Sequence, residues 1–315
     1  MMKTKLLGAI ATFTLLAGLS STASAQTTEG FLYSGGSFST IDVPGSTSTY
    51  ADGINNQGQV VGSYQTSGGQ IFGFEDNNGS FSTIHVPGGT NTQASGINNT
   101  GSIVGYYTNR GGQTLGFTES NGSYTTINFP GSILTQAFGI NDQGQIVGYY
   151  TTNNFNYYGF SYTNGTYNTI QFPGSAQTGA QSVNAFGNIV GNYINNSSQF
   201  LGFIAVNGSF TTIKVPGSPF SAAQGINNQG KIVGNYLSNE GQDVGFIDSS
   251  GVFTTINVPG STLTEAFGIN DLGQVVGYFA PGLPAPSPTP GAGLLSLAFF
   301  VIAGMRTKTR GFLAR

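Results

Sequence analysis

Between Gly202 and Gln242, short apolar runs alternate with turn residues in a way that predicts four strands. Gly202-Phe203-Ile204-Ala205-Val206 reads as a short apolar strand. Asn207-Gly208 follows, a dipeptide whose two residues both tolerate positive φ and therefore favour a tight hairpin. Ser209 to Val215 is β-branched and partly alternating, which predicts a second strand. Pro216-Gly217 ends it, because proline cannot donate to a ladder and glycine permits the bend. Ala223-Gln224-Gly225-Ile226 and Lys231 to Tyr236 read as the third and fourth strands. The Asn227-Asn228-Gln229-Gly230 turn joins them, with asparagine bonding its own backbone and glycine in the left-handed region.

The same pattern recurs along the chain with a period of 43 residues. Pro-Gly falls at Pro44, Pro87, Pro130, Pro173, Pro216 and Pro259. A glycine column (Gly62, Gly105, Gly148, Gly191, Gly234, Gly277) and a phenylalanine column (Phe31, Phe74, Phe117, Phe160, Phe203, Phe246) keep the same spacing. Six copies of four strands predict an all-β fold, with the six-bladed β-propeller favoured. The alternative is a β-solenoid in which each copy makes two coils and Pro-Gly marks the corners. Asn-Gly hairpins imply antiparallel pairing, whereas solenoid coils stack in parallel, and this favours the propeller. In a ring, the first and last copies must meet.

Composition agrees with a packed β fold. Glycine reaches 50 of 315 residues and charged residues only 7%, yet Ile, Val, Phe and Tyr recur at fixed positions, which disorder does not require. Cysteine is absent, so neither disulfides nor thiolate metal sites support the fold. All 12 acidic residues lie between Glu29 and Asp271, where the only basic residues are Arg110, Lys214 and Lys231. An acidic body lacks the cations needed to displace phosphate counterions, which argues against nucleic-acid binding.

The remaining basic residues sit at the two ends, and both ends read as addresses. Lys3 and Lys5 precede an apolar run from Leu6 to Leu19, followed by a small-x-small site ending in Ala25. That order predicts a signal peptide over residues 1–25, cut by signal peptidase between Ala25 and Gln26. The repeat domain is expected over 26–280, a Pro-rich linker over 281–290, an apolar segment over 291–305 and a basic tail over 306–315. The apolar segment would span roughly 22 Å as a helix at ~1.5 Å per residue, short of a bilayer core of about 30 Å. Its basic flank should remain cytoplasmic. Linker, short apolar segment and basic end together resemble the PEP-CTERM sorting signal of Gram-negative bacteria. That resemblance implies recognition by an exosortase-like enzyme, with Pro288-Thr289-Pro290 standing where the signal has Pro-Glu-Pro. An ordinary single-pass tail anchor is the alternative.

Within the repeats, the segments Gln136 to Gly148 and Glu265 to Gly277 each carry Ala-Phe-Gly-Ile-Asn-Asp after their first residue. They resemble the HAF extracellular repeat family, with Gln136 and Glu265 in place of its histidine. The resemblance covers the repeat region and implies an extracellular location; it brings no assigned activity.

Candidate chemistry is sparse. His85, the single histidine, shares a column with Asp42, Asn128, Gln171, Lys214 and Asn257, as a solvent-facing position would. No Ser-His-Asp set or HExxH motif is present. Asp142 and Asp271 share a turn column with Asn56, Asn99 and Asn228. Oxygen ligands could hold calcium there, but turn chemistry accounts for Asn and Asp without metal. Asn78, Asn121, Asn164 and Asn207 head Asn-Gly-Ser/Thr sequons that double as hairpin turns. An aromatic column, Tyr64, Tyr107, Tyr150, Tyr193, Tyr236 and Phe279, ends the fourth strands. It could form a sugar-binding rim, or pack between blades with the hydroxyl at the edge. The loops Thr151 to Tyr157 and Ile194 to Gln199 differ most between copies, as recognition loops on a repeated scaffold do.

These features favour a non-catalytic exported surface or matrix protein that engages exopolysaccharide or envelope components, without a cofactor. A lectin-like binding module is the second reading. The third is a secreted polysaccharide-acting enzyme, for which carboxylates such as Asp52, Asp76 and Asp243 would have to converge.

Overall fold

The computed structural model describes residues 28–153 and 156–282. The expected signal segment, apolar segment and basic tail lie outside these residues, as do Ala25, Gln26, Pro288, Thr289 and Pro290. The described residues are all β and contain no helix.

Successive strands pair antiparallel with their sequence neighbours. One four-stranded sheet runs β3 (Ser46–Ile54), β4 (Val60–Thr66), β5 (Ile71–Asn77), β6 (Ser80–Ile84). The next runs β7 (Gly89–Ile97), β8 (Ile103–Asn109), β9 (Thr114–Ser120), β10 (Ser123–Ile127). A third comprises β11 (Leu134–Ile140), β12 (Ile146–Thr151), β13 (Tyr158–Thr163) and β14 (Thr166–Ile170). A fourth comprises β15 (Gln177–Val183), β16 (Ile189–Ile194), β17 (Phe200–Val206) and β18 (Ser209–Ile213). The remaining strands form an eight-stranded sheet. One part is β19 (Ser221–Ile226), β20 (Ile232–Leu237), β21 (Asp243–Ser249) and β22 (Val252–Ile256). The other joins β23 (Ser261–Ile269) and β24 (Val275–Pro281) to β1 (Glu29–Ser34) and β2 (Ser37–Ile41). A single parallel bridge, Asp243 with Leu263, links the two parts. The sheets are arranged as a β-propeller, and its antiparallel ladders set aside the parallel coils of a solenoid.

Three repeated devices make these sheets. Four outer hairpins turn on Asn-Gly pairs and the others on Gly35-Gly36 and Ser250-Gly251, with both φ angles positive, such as Asn78 at 53° and Gly79 at 87°, the geometry whose twist matches the flanking strands. At each Pro-Gly, the residue after glycine donates to the residue before proline, as in Ser46 N–H to the Val43 carbonyl at 3.0 Å, with Gly45 at φ 81°. Proline supplies the first turn position and glycine the second, as a type II turn requires. Inside each sheet, a fully buried phenylalanine lies across from a glycine, as Phe74 does from Gly62. A Cβ on Gly62 would stand 1.9 Å from the Tyr50 carbonyl oxygen and 2.8 Å from the Phe74 ring. The two columns are therefore one device: the ring occupies the space that glycine leaves.

The sequence copy and the sheet are out of phase. Four strands of one copy were expected to form one sheet, but β17 and β18 complete one sheet while β19 and β20 begin the next. The same half-copy offset closes the ring. β1 pairs with β24 over Glu29–Phe279 to Tyr33–Val275, so the N-terminal strands finish a sheet begun by the C-terminal ones. The first proline of the expected linker, Pro281, is the last residue of β24, and Gly282 N–H donates to the Gly260 carbonyl at 2.9 Å.

Candidate functional site: the axial funnel

The innermost strands β3, β7, β11, β15, β19 and β23 surround the axis. At their C-terminal ends stands the column Asn55, Asn98, Asn141, Asn184, Asn227 and Asn270. Each Asn Oδ1 accepts two backbone N–H groups of its own turn, as Asn141 does from Gln143 and Gln145. Each Nδ2 reaches the next copy: Asn55 donates to the Asn98 carbonyl, Asn98 to Asn141, Asn141 to Asn184, Asn184 to Asn227, Asn227 to Asn270, and Asn270 back to Asn55. Only an amide can fill both roles, which explains an all-asparagine column. The ring, with Ile54, Ile97, Ile140, Val183, Ile226 and Ile269 beside it, lines a cavity of about 70 Å³.

Just upstream, every inner strand carries a β-bulge. In β3 the pairing register jumps between Ala51 and Gly53, leaving Asp52 unpaired. The corresponding skipped residues are Ser95, Phe138, Gln181, Gln224 and Phe267. Bulges re-aim side chains, and this column is partly exposed in all six copies. Two residues earlier lie Tyr50, Gln93, Gln136, Gly179, Ala222 and Glu265, paired across to Ser63, Tyr106, Tyr149, Asn192, Asn235 and Tyr278. These three columns break the repeat, whereas the Phe, Gly and Asn columns that hold the fold are uniform.

Their side chains meet in three groups around the axis. Phe138 stacks on Tyr149 at 5.4 Å and meets Tyr106 edge-on at 5.8 Å. Phe267 stacks on Tyr278 at 5.3 Å, and Tyr50 meets Tyr278 edge-on at 5.0 Å. Tyr106 donates to Gln93 Oε1 at 2.8 Å, and Tyr278 donates to Glu265 Oε2 at 2.7 Å. Asn235 Nδ2 donates to Asp243 Oδ1 at 2.9 Å. Gln136 Oε1 and Asn235 Oδ1 are buried without a hydrogen-bond partner, in side chains 4% and 3% exposed. Buried acceptors in that state are rare and costly, and they mark places where a partner belongs.

The carboxyls here are held toward their neutral form. Burial raises Asp52 well above the ordinary range. Burial, reinforced by the nearby Asp243 charge and opposed by the Tyr278 hydrogen bond, pushes Glu265 up to about 7. Asp243 is itself raised by burial against the pull of Asn235. Burial also raises Tyr278, as do the charges of Glu265 and Asp52, and burial with the Asp52 charge raises Tyr106. Asp243 thus acts on Glu265, and Glu265 and Asp52 both act on Tyr278.

Two of the carboxylates singled out in the sequence, Asp52 and Asp243, join this lining. Asp76 does not: it accepts from Gly79 N–H in an outer hairpin. Glu265, Gln136, Asn235, Tyr106, Tyr149 and Tyr278 were not singled out for chemistry. Their signal was the departure of their columns from six-fold repetition.

The Tyr64, Tyr107, Tyr150, Tyr193 and Tyr236 column lies away from the axis. Each hydroxyl pairs with a threonine on an outermost strand, Thr83, Thr126, Thr169, Thr212 and Thr255, at 2.7–3.2 Å. Phe129 covers the Tyr150 face at 3.6 Å, and Phe172 covers Tyr193 at 3.7 Å. Tyr107, Tyr150 and Tyr193 are buried, while Tyr64 and Tyr236 are half-buried. Beside Tyr193, Phe172, Ser175, Asn195, Asn196 and Ser197 line a shallow groove. His85 is exposed and meets Phe72 edge-on at 5.4 Å.

The turn column considered for calcium is a second hydrogen-bonded belt outside the asparagine ring. Asn56 Nδ2 and Asn228 Nδ2 donate to Asp271 Oδ2, and Asn228 N–H donates to Asp271 Oδ1. Burial alone would raise the Asp271 carboxyl, but these hydrogen bonds outweigh it and hold it below its ordinary value. Asn99 N–H and Nδ2 grip Asp142 in the same way. Among the described residues, no group of three or more His, Cys, Asp or Glu side chains is placed to hold a metal ion.

No family model matches the chain, and no curated protein sequence matches it. Solved structures of similar shape do exist. A protein designated TolB from Agrobacterium tumefaciens is 11% identical, with a TM-score of 0.60 over 82% of this chain and 99% of that one. AofleA from Arthrobotrys oligospora is 17% identical, with a TM-score of 0.49 over 79% and 82% of the two chains. A fucose-specific lectin from Aleuria aurantia is 12% identical, with a TM-score of 0.45 over 76% and 98%. The chain is a β-propeller; at these identities the likeness concerns the fold alone.

Proposed function

We propose that this chain is an exported, six-bladed β-propeller that binds glycan through its axial funnel. The eight-stranded sheet counts as two four-stranded blades, since only the Asp243–Leu263 bridge joins its parts. Export follows from the signal segment ending at Ala25. Retention at the envelope, by an exosortase-like enzyme acting near Pro288-Thr289-Pro290, follows from the C-terminal resemblance, and the HAF-like repeats agree with an extracellular address. Calcium has no part in this reading.

The observation that carries the binding site is the funnel's combination of aromatic walls with buried acceptors lacking partners, Gln136 Oε1 and Asn235 Oδ1. Aromatic faces accept the apolar face of a sugar ring, and amides and carboxyls take its hydroxyls. Isothermal calorimetry of the secreted protein against the host's extracellular polysaccharide tests this, with Phe138→Ala and Tyr278→Phe as funnel variants. Saturable heat that falls with Phe138→Ala supports the funnel. Saturable heat lost instead with Tyr64→Ala or Tyr236→Ala moves binding to the outer column, and no heat at all leaves a structural surface protein.

A polysaccharide-acting enzyme is the second reading. It is favoured by Glu265, an acid that keeps its proton near neutral pH beside Tyr278 and Asp243. Release of reducing ends or unsaturated products, abolished by Glu265→Gln, would establish it.

A further inference from the structure

Apart from tyrosines, the ionisable side chains of the funnel are all carboxyls. Asp52, Asp243 and Glu265 contribute carboxyls, and the basic side chains of the described region are elsewhere: His85, Arg110, Lys214 and Lys231 are all exposed. A buried carboxyl without a counter-charge either keeps its proton or pairs with a cation. Among the described residues, these three have no such pair.

Three further features define what would complete the site. First, the buried groups without partners are both acceptors. Asn235 Nδ2 is committed to the Asp243 carboxylate, which fixes the amide's orientation and leaves its Oδ1 calling for a donor. Gln136 Oε1 calls for another. Second, Tyr106, Phe138, Phe267 and Tyr278 supply aromatic faces and edges around the carboxyls, a surround that favours an organic cation. Third, Asp52, Phe138 and Phe267, set out of the ladder by their bulges, are partly exposed, so the carboxyl and the rings are within reach of a ligand. Donors for two amide oxygens together with carbon surface for the rings describe an organic molecule.

We infer that the funnel receives an amine-bearing sugar unit, its ammonium group balanced by Asp52 and Glu265 and its N–H donors meeting Asn235 and Gln136. This rests on the funnel being the glycan site and narrows the ligand to cationic glycans over neutral or acidic ones. Binding draws the proton off Glu265, because an ammonium neighbour favours the carboxylate.

Calorimetry of the secreted protein at pH 7 and moderate salt, with glucosamine trisaccharide, its fully N-acetylated counterpart and a neutral glucose trisaccharide, tests the inference. The amine form is expected to bind at least tenfold more tightly than the other two. Glu265→Gln and Asp52→Asn should each bring that preference close to one while leaving the melting temperature at or above that of the parent. Equal affinity for all three sugars would overturn the cationic inference and leave the glycan site standing. No binding of any sugar would remove both. A preference that survives both funnel variants, or that disappears equally with Asp76→Asn on the outer surface, is adsorption to an acidic exterior and overturns the inference.

Discussion

Asn270 donates through its side-chain amide to the backbone carbonyl of Asn55 at 3.0 Å, across 215 positions of sequence. The same contact joins residues 43 apart everywhere else in the ring. The closing contact therefore uses the geometry of the internal ones, and the circle is shut by side chains near the axis as well as by the β1–β24 ladder in the middle of the last sheet. Two independent closures, at different radii, hold ends that chain entropy would otherwise separate.

Replacing one member of that ring by aspartate keeps the acceptor and removes the donor. Asn141→Asp preserves an oxygen for Gln143 and Gln145 N–H, but its second oxygen faces the Asn184 carbonyl, and two acceptors repel. The expected loss is about 1–3 kcal/mol in chemical denaturation. Asn270→Asp, at the closure, should cost at least as much. Loss of less than about 0.5 kcal/mol at both sites would mean that the β1–β24 ladder alone closes the ring.

Two nearby glycines, Gly144 and Gly148, should respond differently to the same change. Gly148→Ala places a Cβ 1.9 Å from the Gln136 carbonyl oxygen and 2.9 Å from Phe160, a backbone clash that no rotamer relieves. Gly144→Ala meets nothing within 4 Å but must hold φ at 77°. The first is expected to prevent folding or cost more than ~3 kcal/mol, and the second about 1 kcal/mol. Melting curves of the two variants side by side check the difference.

The uniform columns are legible in the sequence because fold-holding residues repeat: Pro-Gly, Asn-Gly, Phe and Gly each mark a turn or a packed position by their spacing alone. Phase is not legible. A period of 43 residues looks the same wherever it is cut, and only the pairing of β1 with β24 decides where a sheet begins. The funnel is hidden for a related reason. Columns such as Tyr50, Gln93, Gln136, Gly179, Ala222 and Glu265 vary like surface positions, as the His85 column does. What separates the two is the bulge after Ala51, which turns Asp52 and its counterparts out of the ladder, and a register shift of this kind leaves no periodic mark in the chain. The Tyr64 to Tyr236 column is visible as a repeat, but its threonine partners 19 residues on only emerge when β4 and β6 lie in one sheet.

Removing one hydroxyl from that column separates its two possible uses. Tyr150→Phe deletes the 3.0 Å contact with Thr169 while keeping the stack on Phe129, and should cost about 1 kcal/mol. Tyr150→Ala empties a buried aromatic site and should cost about 3–5 kcal/mol. A packing residue gives this graded loss in denaturation with unchanged sugar affinity per folded molecule. Affinity that falls with Tyr150→Phe while stability stays level would make the column a recognition surface instead.

Glu265 makes stability depend on pH in a defined direction. Its folded carboxyl stands at about 7 against an ordinary value of 4.5. Below pH 4.5 both folded and unfolded chains hold the proton, and the site costs nothing. Between 4.5 and 7 the unfolded chain releases its proton while the folded chain keeps it, so stability falls as pH rises, by up to about 1.4 kcal/mol per unit. Above 7 the loss is complete, on the order of 3 kcal/mol at most. Asp52 and Asp243, raised by the same burial, act in the same direction. Asp271, held low by its hydrogen bonds, acts oppositely and loses its contribution as pH falls through its folded value. Glu265→Gln keeps an acceptor for Tyr278 and has no proton to lose. Urea midpoints at pH 5 and pH 8 should therefore converge in the variant, with its gain over the parent appearing at pH 8 and shrinking toward pH 4. A parent protein equally stable at both pH values would place Glu265 in a solvated setting and remove the buried, unpaired carboxyl on which the cationic ligand depends.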